Sequence, residues 1–410
     1  MSIKKQNPII SITLLILIVN TAAAVEMSFE QKLISSDGLA DDRFGYSFDI
    51  DGHRAIIGQQ FGSGAYIFNY DGTEWVETAK ILPDDVESSD LFGVTVSISG
   101  NWVLIGSSKD QTDHYDEGSV RFFRYENQQW IEHQKIHASN TMRGLWFGTT
   151  VHIDGLRAFV TSGGVNANEN QSGQIYYYEF DGTLWREKQI IFPHDGTRQD
   201  FFGDDFVIEG DQALIGAGWH DNDEYTKIGA VYYYQFLAQQ WVFQQKLIPS
   251  DGNNNDYFGT SIGFDGNRAL IGGNEEKVYY FRLFGNSWVE SQILPEPLDF
   301  IYGSFGSRLH LNKDVAIIGA SRETTDIFQG GSAYKYIFDA GQWIENQKIR
   351  TDDVSERAYF GDSIYFNDQY ALIGAPGDSN DNGGVSGSVF IYPMQPDEIF
   401  NSTFDMIIED

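Results

Sequence analysis

A Phe-Gly dipeptide followed by the same pattern recurs seven times, at Phe44, Phe92, Phe147, Phe202, Phe258, Phe305 and Phe360, at intervals of 48, 55, 55, 56, 47 and 55 residues. Recurrence at that period means that one supersecondary unit is built seven times and that the units bury their faces against one another. Each copy continues alike. Apolar residues follow at the fourth and sixth positions after Phe, as in Phe48/Ile50, Val151/Ile153 and Ile364/Phe366. That period of two is a strand with one buried face.

A tight turn follows: Asp51-Gly52, Ser99-Gly100, Asp154-Gly155, Glu209-Gly210, Asp265-Gly266, Asn312-Lys313 and Asn367-Asp368. Five of these carry Gly second, where a short hairpin needs positive φ. A second strand then runs apolar into Gly, as in Ala55-Ile56-Ile57-Gly58; the third copy has Thr161 at that place. After a loop comes an aromatic strand such as Tyr232-Tyr233-Tyr234, then a fourth that starts at Trp75, Trp130, Trp185, Trp241, Trp288 or Trp343. Four strands per unit and no helical period predict an all-β fold, a seven-bladed β-propeller of four-stranded blades. There are seven Phe-Gly copies but six such Trp, because the last copy ends at its third strand, Val389-Phe390-Ile391-Tyr392. Met27-Ser-Phe-Glu-Gln-Lys-Leu33 has the fourth-strand pattern with Met27 in place of Trp. The N-terminal strand, about residues 27–33, is therefore expected to complete the seventh blade.

Composition narrows the function. Aromatic residues make up 15% of the 410-residue chain, too many for an acidic disordered segment. No Cys is present, which excludes disulfides, thiolate metal sites and a thiol nucleophile. The net charge of −32 repels nucleic-acid phosphates and anionic lipid, so no nucleic-acid partner is expected. Lys4 and Lys5, the apolar run Ile9 to Val19 and Ala22-Ala23-Ala24 form the pattern of a secretory signal peptide. The run is shorter than the ~20 residues that span a bilayer. The expected domains are a signal peptide at 1–24, the propeller at 25–393 and a tail at 394–410 that holds the sequon Asn401-Ser402-Thr403. The product is expected to be secreted, periplasmic or on the cell surface, without a membrane span after processing, and monomeric.

The sequence of Phe-Gly, apolar pair, turn, Leu-Ile-Gly-Ala-Pro and aromatic strand resembles FG-GAP repeat proteins, among them the propeller head of integrin α chains and many exported bacterial proteins. Phe360-Gly361 with Gly374-Ala375-Pro376 carries the motif most completely. The resemblance implies ligand binding on the face formed by the strand 2–3 loops and the loops between blades. Integrin-like repeats often hold calcium in the hairpin between the first two strands, but here that hairpin is too short. Asp49-Ile-Asp51-Gly52 offers two carboxylates where calcium takes six to eight oxygens. Those sites are not carried over.

The loops between blades repeat Asp seven residues before Phe (Asp37, Asp85, Asp195, Asp251, Asp353) and two before it (Asp42, Asp90, Asp200, Asp256). Recurrence at fixed positions points to turn-making. Asp378, Asn380 and Asn382 match the first half of an EF-hand loop and are a weak calcium candidate; no other cofactor is expected. Asp110, Asp113, His114, Asp116 and Glu117 cluster in one strand 2–3 loop, and His220, Asp221, Asp223 and Glu224 in another. Trp219 stands in that second loop with no evident counterpart and is a candidate for stacking on a sugar ring. Trp219, Asp221, Asp223, Asp110 and Asp113 are the ligand-binding candidates. No catalytic motif is present and no catalytic residue is assigned. The expected function is a non-catalytic, adhesion-type module for a protein or glycan. The alternatives are a glycan hydrolase or lyase that uses loop carboxylates, and a purely structural module. A convergent pair of buried carboxylates with raised pKa in a central pocket would favour the enzyme.

Overall fold

A computed structural model describes residues 29–62, 64–111, 115–140, 143–163, 172–197, 199–222, 224–273, 277–297 and 303–394. It contains seven four-stranded antiparallel sheets. Blade 1 is Phe44–Asp51, Arg54–Gln59, Ala65–Tyr70 and Trp75–Ile81, and five further blades repeat that order up to Ile349. Blade 7 takes Ser363–Phe366, Tyr370–Ala375 and Ser388–Pro393 from the end of the chain and Gln31–Leu33 from its beginning. Gln31 pairs with Ile391, Lys32 with Phe390 and Leu33 with Val389. The seventh blade is thus completed by the N-terminal strand, as the missing Trp strand predicts. Met394, assigned to the tail from sequence, is buried in this blade. The signal-peptide segment, Met27 and the sequon at Asn401 lie outside the described residues.

The repeat pattern has local causes. Gly52, Gly100, Gly155, Gly210 and Gly266 take φ between 55° and 59° in the first hairpin, and Lys313 adopts the same left-handed turn at 53°. All seven Phe of Phe-Gly are fully buried. The Gly after each has φ of 85–97°, and the first strand shifts register just beyond it in blades 1, 2, 3 and 6. Such a bulge aims Phe into the core while the backbone turns aside.

The core is not inside any blade. It forms seven clusters, one between each pair of neighbours. Between blades 2 and 3, for instance, Trp185 stacks on Phe122 at 4.5 Å and meets Trp102 edge-on at 5.3 Å. Two further contacts fix the spacing. First, the Gly that ends each second strand lies against the Phe-Gly glycine of the next blade. A Cβ on Gly58, Gly106, Gly216, Gly272 or Gly319 would overlap the carbonyl oxygen of Gly93, Gly148, Gly259, Gly306 or Gly361, and one on Gly374 would crowd that of Gly45. Thr161 is tolerated because its Cγ2 occupies the side where Gly203 has no Cβ, 3.0 Å from the point where one would lie.

Second, a Gln four residues after Trp reaches the backbone of the next blade's Trp. Its amide donates to the Trp carbonyl and accepts from the Trp N–H. The pairs are Gln31 with Trp75 (2.8 and 2.7 Å), Gln134 with Trp185 (3.1 and 2.8 Å), Gln189 with Trp241 (2.9 and 2.7 Å), Gln245 with Trp288 (2.9 and 2.7 Å) and Gln292 with Trp343 (2.9 and 2.8 Å). Gln31 holds this place relative to Met27, which supports the register of the closing strand.

Two stability predictions follow from these contacts. Leu33→Ala removes a side chain that is 2% exposed at the closure. It should cost about 2–4 kcal/mol in denaturant unfolding, against less than ~0.5 kcal/mol for Glu30→Ala at the exposed residue just before the strand. Gly106→Ala should cost at least about 2 kcal/mol, whereas Gly155→Ala, at φ 57° with open space around it, should cost only about 1 kcal/mol. Equal costs at the two glycines would contradict the close blade contact.

Candidate functional site

The apolar positions of each first strand face the core, so the alternate positions face the ring axis. These are the third and fifth residues after Phe. Asp49, His152, Asp205, Arg308, His310 and Tyr365 thereby line a central cavity of about 510 Å³. Of the six, only Asp49 was named from the sequence, as part of a hairpin too short for calcium. The signal was available, since it is the other phase of the same alternation.

Several of these side chains bond to the next blade. Asp49 accepts from Ser97 Oγ (2.8 Å), Ile98 N (2.9 Å) and Ile50 N (2.8 Å). Asp205 accepts from Ile262 N (2.7 Å) and Phe206 N (3.0 Å). Thr95 Oγ1 and Ser97 Oγ accept from Val151 N (3.2 Å) and Ile153 N (3.1 Å). Inner edge N–H groups that would otherwise be unpaired are capped this way.

The cavity also shifts charge. Burial pushes Asp205 up to about 6, with the Arg308 charge working against it. Desolvation inside the ring raises Asp204 as well, although the residue is exposed to the channel. Burial opposes the charge on Arg308, but Asp362, Asp205 and Asp204 beside it leave its pKa raised. Burial likewise favours the neutral forms of Asp49 and His152, and pushes His310 down to about 4. Among the described residues the ring axis thus sets Arg308 among carboxylates, and Asp49, Asp204 and Asp205 take up protons above the usual range. Such groups can donate a proton to a bound molecule.

The loop face is built differently. Asp42, Asp90, Asp200 and Asp256 accept the N–H three residues earlier, at Leu39 (2.7 Å), Glu87 (2.9 Å), Thr197 (2.7 Å) and Asn253 (2.7 Å). These are the turns that recurrence predicts. Asp37, Asp195 and Asp251 each hold a Tyr hydroxyl and a Lys, as in Tyr232 at 2.8 Å and Lys246 at 2.8 Å of Asp195.

Asp110, His220, Glu323 and Asp378 share one place, four residues after the second-strand Gly. Each reaches a Lys of the outer strand: Asp110 to Lys135 (2.7 Å), His220 to Lys246 (2.6 Å), Glu323 to Lys348 (2.5 Å) and Asp378 to Lys32 (3.0 Å). Asp110 is buried, also accepts from Ser119 Oγ (2.5 Å), and has its pKa lowered by these partners although burial opposes the shift. Asp378 further accepts from Ser388 Oγ (2.6 Å) and Ser355 N (2.8 Å).

Asn380 Oδ1 accepts from Asn382 N (2.9 Å) and Ser386 Oγ (2.7 Å), while Asn382 Nδ2 donates to Ser35 O (2.6 Å). Of the three residues proposed for calcium, Asp378 and Asn382 therefore pin the N-terminal segment to blade 7, and Asn380 ties their loop together. An ion there would have to displace Lys32 and these hydrogen bonds. Among the described residues no three His, Asp or Glu side chains converge as a metal site would require. Asp221 Oδ1 accepts from Lys227 N (2.6 Å); Asp113 and Asp223 lie outside the described residues.

Trp219 is 37% exposed and forms a cluster, with Phe201 at 5.1 Å, Tyr257 at 5.5 Å and Lys227 Nζ 4.1 Å over its ring. It does have a counterpart. Phe61 stands at the same place in blade 1, covered by Arg43 at 5.1 Å. The differing residue type hid the match. Tyr115 under Arg143 (5.4 Å) and Phe328 under Arg357 (5.6 Å) repeat the pairing of exposed ring and cation on this face.

The family model described as FG-GAP repeat matches residues 27–68, 75–123, 185–234, 241–277 and 343–392, more than half of the chain. The chain belongs to the FG-GAP repeat family. Each matched FG-GAP unit runs from the outer strand of one blade into the inner strands of the next, which is the offset that the closing strand at 31–33 requires. Residues 124–184 and 278–342 lie between the matches and share in the same four-stranded blades. No curated protein matches the sequence. One solved structure that matches is the crystal structure of the computationally designed Ika8 protein, 11% identical, with a TM-score of 0.48 over 85% of this chain and 82% of that one. Among the described residues no helix is long and apolar enough to cross a membrane.

The FG-GAP propeller's channel yields a pH prediction. Asp205 has a folded pKa above its unfolded value near 3.8, so the folded state holds the extra proton between about pH 4 and 6. Its contribution is fully present below pH 4 and is lost as pH rises to 6. The slope of stability against pH over that window should be more positive for Asp205→Asn than for the natural protein, measured by thermal unfolding. Identical slopes would show that Asp205 titrates normally.

Proposed function

We propose that this FG-GAP propeller is an exported, monomeric, non-catalytic module that binds a protein or glycan at the cell surface or outside the cell, with no resident cofactor. The observation that carries the reading is the row of exposed aromatics and cations on the loop face, with the Trp219, Tyr257 and Lys227 cluster at its centre. A ring with one open face and a nearby ammonium suits stacking on a sugar or insertion of a partner side chain. The N-terminal signal pattern supports export. A screen of the purified protein against glycans and surface proteins, with and without calcium, tests it. Trp219→Ala should weaken any partner found by at least about tenfold while the melting temperature stays within a few degrees. Binding that survives this change and Tyr257→Ala would move the site elsewhere.

A second reading, a glycan hydrolase or lyase, is favoured by the raised pKa of Asp204 and Asp205 beside Arg308 in the channel. Against it, Asp205 already accepts two backbone N–H groups, and the one from Ile262 joins blade 4 to blade 5. Release of sugar products from a polysaccharide panel that Asp205→Asn abolishes, in a protein that still folds, would establish the enzyme in place of the binding module.

A further inference from the structure

The outer edges of the blades are sealed to their neighbours by the Gln–Trp backbone contact at five junctions. Blade 1 departs from the pattern. The residue four after Trp75 is Ala79, which has no amide to offer Trp130 of blade 2. Trp75, Trp185, Trp241, Trp288 and Trp343 are buried, but Trp130 is half-buried. Ala79 and Trp130 both border the core between blades 1 and 2, and beside them lies an open groove of about 690 Å³. Thr78, Ala79 and Lys80 form one wall; Tyr125, Trp130 and Glu132 form the other.

Two observations indicate what the groove takes. Tyr125 and Trp130 face each other across the hairpin that Glu126 and Gln129 close. In such a pair, one position from a closing hydrogen-bonded pair on the alternating ladder, the backbone N–H and C=O point away from the partner strand. Trp130 therefore presents the donor and acceptor that receive a Gln amide at the five junctions where Gln clasps Trp. A primary carboxamide has its N–H and C=O on the same side and can meet both at once. A trans secondary amide has them on opposite sides and cannot. Asn69, which also lines the groove, has its Oδ1 buried without a hydrogen-bond partner. It would accept an N–H from a chain laid along the wall.

We infer that this groove on the outer rim binds an extended segment of a partner protein that carries a glutamine side chain, with the carboxamide paired to Trp130 as Gln134 pairs to Trp185. Arg54 lies 4.7 Å from the centre of the Tyr125 ring and 5.3 Å from that of Trp130, holding the aromatic wall in place. The site is separate from the Trp219 cluster on the loop face, so loss of binding there leaves this site untouched.

The test uses the whole protein and a blocked octapeptide with the sequence of residues 129–136, in which Gln134 is the clasping residue. A second peptide carries Gln134→Ala. Calorimetric titration at up to millimolar peptide should show binding of the first peptide and at least about tenfold weaker binding of the second. Ala79→Gln supplies the amide from within the chain. It should raise the melting temperature and weaken the first peptide at least about tenfold. Ala79→Leu fills the groove without an amide and should weaken the peptide without the stability gain. No detectable binding of the first peptide, equal affinity for the two peptides, or unchanged affinity in both Ala79 variants would overturn the inference.

Discussion

Every blade of this protein has two faces to bury and no core of its own. The close packing of one sheet on the next is therefore the interaction on which the rest depends. Its cost is borne by glycine. Where the second strand of a blade meets the Phe-Gly bulge of its neighbour, backbone lies directly on backbone, and a single Cβ would push the sheets apart. Phe fills the core beside that contact, the Gln clasp fixes the outer edge, and Asp, Ser and Thr cap the inner edge. The ring closes because the same contacts recur at the junction made by residues 31–33.

That constraint explains why the fold was legible in the sequence. Phe44-Gly45 and its six counterparts, the turn glycines and the Trp strands all mark contacts repeated around the ring. A missing Trp after Tyr392 was enough to assign the N-terminal strand to blade 7, where Gln31–Leu33 pairs. The exact reach of the strand was less legible. Pairing begins at Gln31, and Met394 belongs to the blade and not to the tail.

The site was harder to read, for a physical reason. Recurring residues announce scaffold, and a binding site in a ring is made where one copy departs from the others. Asp110 and Asp378 looked like ligands because they are acids in loops, yet each is joined to a Lys and a Ser of its own structure. Trp219 was found as a departure, although Phe61 shows that the position itself recurs. The channel residues His152, Asp205 and Arg308 sit on the phase of their strands that does not repeat, while the apolar phase recurs in every copy. Ala79 is the opposite case. It is an inconspicuous residue whose meaning appears only once the Gln at the same place in other blades is seen to have a partner.

The ring is closed only if the N-terminal strand is an integral part of it. Native-state hydrogen exchange measures this directly. The backbone amides of residues 31–33 that bond to the third strand of blade 7 should open with a free energy close to that of the corresponding amides in Gln240–Leu247, the outer strand of a blade formed from continuous chain. Exchange of residues 31–33 at the rate of an unfolded segment, while blades 1 to 6 stay protected, would contradict the closure and with it the ring described above.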